Sequence, residues 1–210
     1  MPRIRATSID EHKSLTRRAL LDSAKELIAA AGTAEIPLGE IALAAGIGRT
    51  TLYDYFTDRD DLIATLVEDE LPGVIDELIA TRSRSGTAGE RLAELAAHTV
   101  EFVVNDPVLG LILHREVGRM GLEAQQRIRA AHSNLADAMV GLYFEGVERS
   151  EFRSMPAELA GRLIQDTIMS AAKSVISAPD PHQRIETVTR HLRMFLIGGL
   201  GADIEHMVDR

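Results

Sequence analysis

The chain has 210 residues, enough for one domain or two small ones, and its apolar fraction of 45% is sufficient for a core. It contains no cysteine, which excludes disulfides and thiolate metal sites and fits a reducing cytoplasm. The net charge of −9 excludes a uniformly basic nucleic-acid binder, yet residues 1–59 balance eight bases against eight acids, and the whole deficit lies in residues 60–210.

An acidic body therefore follows a neutral head, and five bases face two acids in the first 20 residues. That asymmetry suits a molecule whose head alone meets phosphate. No apolar run approaches the roughly 18 residues of a membrane span. The leading segment MPRIRATSIDEHKSL lacks the apolar core of a signal peptide. A cytoplasmic protein with no membrane contact is expected.

Apolar residues recur at three- and four-residue spacing almost throughout, so an all-α fold is expected. The first helix runs from about Glu11 to Ala31 on Leu15, Leu20, Ala24, Leu27 and Ile28, and Gly32 ends it. Pro37 suits the first position of a second helix, which continues to about Ala45. Gly46 supplies a sharp turn with positive φ. A short third helix spans Arg49 to Phe56. Asp58 is a good N-cap for a fourth, with Asp60 and Asp61 near its positive end. Pro72 should kink or end that helix.

The segment RSRSGTAG, residues 82–89, reads as a loop. Further helices are expected at about 90–104, 107–117, 122–149, 156–177 and 182–207. Asn105-Asp106-Pro107, Gly118 to Gly121, Ser154-Met155-Pro156 and Ala178-Pro179-Asp180-Pro181 separate them.

The stretch LGEIALAAGIGRTTLYDYFTDRDDL, residues 38–62, carries the functional signal. Its helix, turn and short second helix have the spacing of a helix-turn-helix that enters a DNA major groove. Leu38, Ile41, Ala42, Ala45, Ile47, Leu52 and Phe56 face inward. Arg49, Thr50, Tyr53 and Asp54 are left on the outer face. Arginine bridges guanine O6 and N7, and Thr50 or Thr51 suits a thymine methyl or a phosphate. Tyrosine hydroxyls suit phosphate, and Arg59 stands within reach of the same backbone. Arg3, Arg5 and Lys13 form either an arm on DNA or a solvated tail.

The block TRRALLDSAKELIAAAG, followed by PLGEIALAAGIGRTTLYDYFTDRDDL, resembles the N-terminal domain of the TetR family of transcriptional repressors. Ile41-Ala42, Ala45-Gly46-Ile47, Thr51-Leu52-Tyr53, Tyr55-Phe56 and Leu62 carry the likeness. The resemblance implies DNA contacts by Arg49, Thr50, Thr51, Tyr53 and Tyr55. It places Arg59 where the family usually has a phosphate-binding lysine, and Pro37 where a phosphate-binding threonine is common. Asp54 either accepts from cytosine N4 or repels phosphate.

The resemblance further implies a DNA-binding domain over residues 1–59 with three helices. A larger helical ligand-binding and dimerisation domain would cover residues 60–210. The segment from Arg59 to about Arg82 would be the lever between them. A homodimer would form through Pro156–Ser177 and His182–His206, whose apolar faces are wider than one core requires.

The expected function is a ligand-responsive regulator, most simply a repressor. It would bind a pseudo-palindromic operator in double-stranded DNA as a dimer and be released by a small-molecule effector of unknown identity. His98, Asn105, His114, Met120, Tyr143, Gln165, Asp166 and Met169 are candidate pocket liners. The alternative is a helical homodimer that binds a small molecule or protein partner without DNA. No metal or other cofactor is expected: no HxxxH or HExxH occurs, and His206 with Glu205 and Asp203 reads as solvated. Without a nucleophile elbow, glycine-rich phosphate loop or paired carboxylates, no enzyme is expected either.

Overall fold

The computed structural model describes residues 9–81 and 84–202; Arg3, Arg5, Arg82, Asp203, Glu205 and His206 lie outside them. Ten α-helices follow one another among the described residues: α1 (Ile9–Ala31), α2 (Leu38–Ala44), α3 (Arg49–Leu52), α4 (Arg59–Thr81), α5 (Ala88–Asn105), α6 (Pro107–Leu111), α7 (Leu122–Ala131), α8 (Ser133–Glu148), α9 (Ala157–Ile176) and α10 (Pro181–Leu200). Between α6 and α7 the chain widens into a π turn, Ile112–Glu116, then tightens into a 3₁₀ turn, Val117–Arg119.

Packing divides the chain into two compact units. The first runs to Leu71 and takes in Pro107–Ala131; the second holds Pro72–Asp106 and the chain from His132 on.

In the first unit α1 packs on α2 and α6, and α2 on α3. Leu20, Ala24 and Ile28 of α1, Ile41 and Ala42 of α2, and Leu62, Ile63 and Leu66 of α4 are buried. They recur at helical spacing, as amphipathic helices must. Gly32, at φ +64°, ends α1 and donates to the Ile28 carbonyl at 2.9 Å. Arg17–Asp69 and Lys25–Glu70 ion pairs tie α1 to α4.

In the second unit α5 is the central helix, packed against α8, α9 and α10. Thr87 and Glu90 form a capping box at its start, each side chain accepting from the other's backbone N–H, at 3.0 and 2.9 Å. The core includes Leu95, Val100, Leu142, Tyr143, Phe152, Ile164, Ile168 and Leu196. Phe152 stacks on Tyr143 with ring centroids 6.0 Å apart. It fills a notch between Gly89 and Gly146, and a Cβ on Gly146 would run into its ring.

Several boundaries differ from the sequence expectation. Pro72 does not end α4. It removes one backbone hydrogen bond, and the buried Leu71 and Ile75 hold the helix on either side. The expected helix over 122–149 divides at His132, whose φ −110° and ψ 13° leave the helical region. The last helix stops at Leu200 rather than near 207, because Gly201 is extended (φ −58°, ψ 142°). The loop between α8 and α9 takes over there: Arg153 N donates to Leu200 O at 2.9 Å and Ala202 N to Glu151 O at 3.2 Å.

Candidate nucleic-acid interface

The recognition segment is built from local signals. Gly46 adopts φ +70°, and its neighbour Ile47 donates back to Ala42 O at 2.9 Å, which closes the turn. Pro37 is the N-cap of α2, one position earlier than expected, with ψ 134°. The regular part of α3 is only Arg49–Leu52, and turns carry the chain to Phe56. Tyr55 N and Phe56 N both donate to Leu52 O at 3.0 Å, so the segment stays coiled.

Leu52 and Phe56 are fully buried. Arg49, Thr50, Thr51 and Asp54 are exposed, and Tyr53 is 49% exposed. Tyr55 is half-buried. The Arg49 side chain passes over Gly39, where an added Cβ would lie 3.8 Å from its Cδ. This leaves a guanidinium, two hydroxyls and a phenol on one solvent-facing surface, the groups needed for base edges and phosphates.

Arg59 lies at the start of α4 and is ion-paired. Its Nη2 donates to Glu116 Oε2 at 3.0 Å, and Glu116 is almost wholly buried. The carboxylates around it are also occupied. Asp58 caps α4 by accepting from Asp61 N at 2.8 Å. Asp60 accepts from Gly121 N at 2.8 Å. Asp61 accepts from Thr57 N at 2.8 Å and from Arg127 Nη1 at 2.7 Å.

Arg127 of α7 is a residue the sequence did not single out. Its Nε and Nη2 form a fork on Glu68, at 2.9 and 2.6 Å, and Nη2 also reaches Thr65 Oγ1 at 2.8 Å. Hydrogen bonds to Glu68, then to Asp61, raise its pKa against the opposing effect of burial. Burial pushes the Asp61 carboxyl up, but the Thr57 N–H and Arg127 together outweigh it and hold the group below its ordinary value. A chain of hydrogen bonds thus runs from α7 through Asp61 to Thr57, the residue after the recognition segment.

The candidate effector liners fall in both units. His114 and Met120 belong to the first unit and the others to the second. Burial, then Arg115, lowers the His114 pKa, and its buried Nε2 makes no hydrogen bond. Met120 is buried. The Tyr143 hydroxyl is used within the α8–α9 loop, donating to Arg153 O and accepting from Met155 N, both at 2.9 Å. Gln165 and Asp166 are exposed, and His98 and Met169 are half-buried. Asn105 lines an open groove of about 540 Å³ with Glu101, His182 and Arg190. Among the described residues no helix is long and apolar enough to cross a membrane, and no metal-ligand cluster occurs.

Comparison with known proteins gives this surface its context. Residues 20–66 match the family described as "Bacterial regulatory proteins, tetR family", and residues 85–173 match "Tetracyclin repressor-like, C-terminal domain". The chain is 25% identical over 150 residues to the fatty acid metabolism regulator protein of Bacillus subtilis, covering 71% of this chain and 77% of that one. It is 26% identical over 200 residues to the HTH-type transcriptional repressor KstR2 of Rhodococcus jostii, covering 90% and 93%. Its fold is similar to that of the Bacillus subtilis regulator FadR in complex with stearoyl-CoA, with a TM-score of 0.72 at 22% identity over 87% of this chain and 98% of that one. The two family matches fall on the helix-turn-helix and on the helical body in the expected order. The chain belongs to the tetR family of bacterial regulatory proteins and is an all-helical, DNA-binding transcriptional regulator.

Proposed function

We propose that this regulator is a ligand-responsive repressor that binds a pseudo-palindromic operator as a homodimer. The observation that carries the reading is the outer face of α3: Arg49, Thr50, Thr51 and Tyr53 exposed over the buried Leu52 and Phe56. Arg49 and Thr50 read bases there. Thr51, Tyr53 and Tyr55 position the backbone. Residues 1–59 act as the reading head and residues 60–210 as the body that senses effector and pairs with a second copy.

Leu159 and Leu163 on α9 and Met194, Phe195 and Ile197 on α10 form the pairing face; all are at least 43% exposed. The effector class is an acyl-CoA thioester. Support comes from the relative that regulates fatty acid metabolism and from the related fold solved with stearoyl-CoA. Effector binding in the body favours an arrangement of the two heads that no longer fits the operator. That coupling needs only unequal affinity for the two arrangements.

Selection of bound duplexes from random DNA tests the reading. Enriched sequences should contain an inverted repeat with half-sites about one helical turn, or a multiple of it, apart. Stearoyl-CoA should release them. A pool that stays random after repeated selection contradicts the proposal.

A further inference from the structure

We propose that Glu116 is a positioning residue that holds Arg59 away from DNA phosphate in the free protein. The latch opens when a phosphate takes the guanidinium instead. The inference rests on the DNA-binding reading above and concerns what sets its strength.

Arg59 is the first residue of α4, three positions after Phe56 closes the recognition segment. Asp58, Asp60 and Asp61 surround it in sequence, so a phosphate approaching here meets repulsion unless a cation is free. Asp58, Asp60 and Asp61 each accept a hydrogen bond already. Arg127 is already engaged on Asp61 and Glu68, whereas Arg59 points to Glu116 on the π turn.

The pair is incomplete. One Arg59 nitrogen meets one Glu116 oxygen at 3.0 Å, and the Arg59 Nε is buried without a hydrogen-bond partner. Arg127, by contrast, uses Nε, Nη1 and Nη2 on two carboxylates and a hydroxyl. Arginine presents a planar fork, and a phosphate can take two of its N–H groups side by side. Exchange of Glu116 for phosphate would therefore satisfy the Nε that the latch leaves unpaired. Glu116, 4% exposed, would lose its partner in that exchange. An unpaired buried carboxylate is costly, so the latch opposes DNA binding until phosphate is in place. π turns interrupt helices at functional sites, and this one supplies the opposing carboxylate.

The test is fluorescence anisotropy of the full chain on a labelled random-sequence duplex about three helical turns long, across a range of salt. Glu116→Gln should tighten binding roughly threefold or more at fixed salt. The slope of log K against log salt should stay unchanged, because phosphate takes Arg59 in both proteins once the complex forms. In an Arg59→Ala background the same substitution should gain nothing. Glu116→Asp keeps the charge but draws the carboxylate back by one methylene. It should tighten binding too, and it decides the matter if Glu116→Gln does not fold. No gain in affinity, or a gain that persists with Arg59→Ala, overturns the latch while leaving DNA binding intact. No salt-dependent binding by the wild-type chain overturns both readings.

Discussion

Leu163→Glu combined with Phe195→Glu should split the homodimer and lower operator affinity more than about 100-fold, while each chain stays folded. Leu163 is 47% and Phe195 63% exposed, so neither charge disrupts the core of its own unit. The α9–α10 turn is short, and the two helices pack on each other. The start of α9 therefore lies beside the end of α10, where Leu159, Leu163, Met194, Phe195 and Ile197 form an apolar patch. Gly198 and Gly199 adjoin it, and a Cβ on either would meet nothing within 4 Å. A partner helix has room to approach closely there. In a two-fold interface each glutamate appears twice, which buries four like charges in one seam at several kcal/mol each. Two linked heads bind operator more tightly than either alone by about 10² to 10⁴, and separation forfeits that gain. Light scattering reports the mass and gel shift the affinity. A variant that keeps the dimeric mass would show that the pairing face lies elsewhere.

Arg127→Met should destabilise the first unit by about 2 kcal/mol, between the values for exposed and buried ion pairs. The side chain is 29% exposed, so the loss is smaller than for a fully buried group. Methionine keeps the packing of the stem and leaves Glu68 and Asp61 without their guanidinium. The pH dependence follows from Asp61. Its folded pKa is depressed below the ordinary 3.8, so its contribution is fully present above that value and is lost as pH falls through the folded pKa. The depression shrinks without Arg127, although the Thr57 hydrogen bonds remain. The wild-type advantage over Arg127→Met should therefore narrow as pH drops below about 4. Urea denaturation of both proteins at neutral and acid pH measures it. A difference that stays constant with pH would show that the clamp acts by packing alone.

What the sequence revealed and concealed separates by distance along the chain. The helix-turn-helix was legible because each of its signals is local. Gly32 and Gly46 mark positive-φ turns, Asp58 marks a cap, and Leu52 and Phe56 share a face at i and i+4. The Arg59–Glu116 and Arg127–Glu68 pairs span 57 and 59 residues. No pattern in one sequence assigns such partners. Pro72 misled for a related reason: a single proline is a local break, and flanking burial of Leu71 and Ile75 outweighs it. The pocket candidates rested on polarity within apolar helices, and polarity does not say which way a side chain faces. Tyr143 turns inward to fasten a loop, whereas Gln165 and Asp166 face solvent.

On the proposed reading the exposed face of α3 reads DNA sequence, and the affinity ratio of selected to random duplex, compared between wild type and Arg49→Ala, is the deciding measurement. Both duplexes are measured at the same salt, so the phosphate contribution largely cancels. Loss of one bidentate guanine contact should lower the ratio by roughly 10- to 100-fold in Arg49→Ala, with random-duplex binding little changed. An unchanged ratio would contradict the assignment of Arg49 as a base-reading residue.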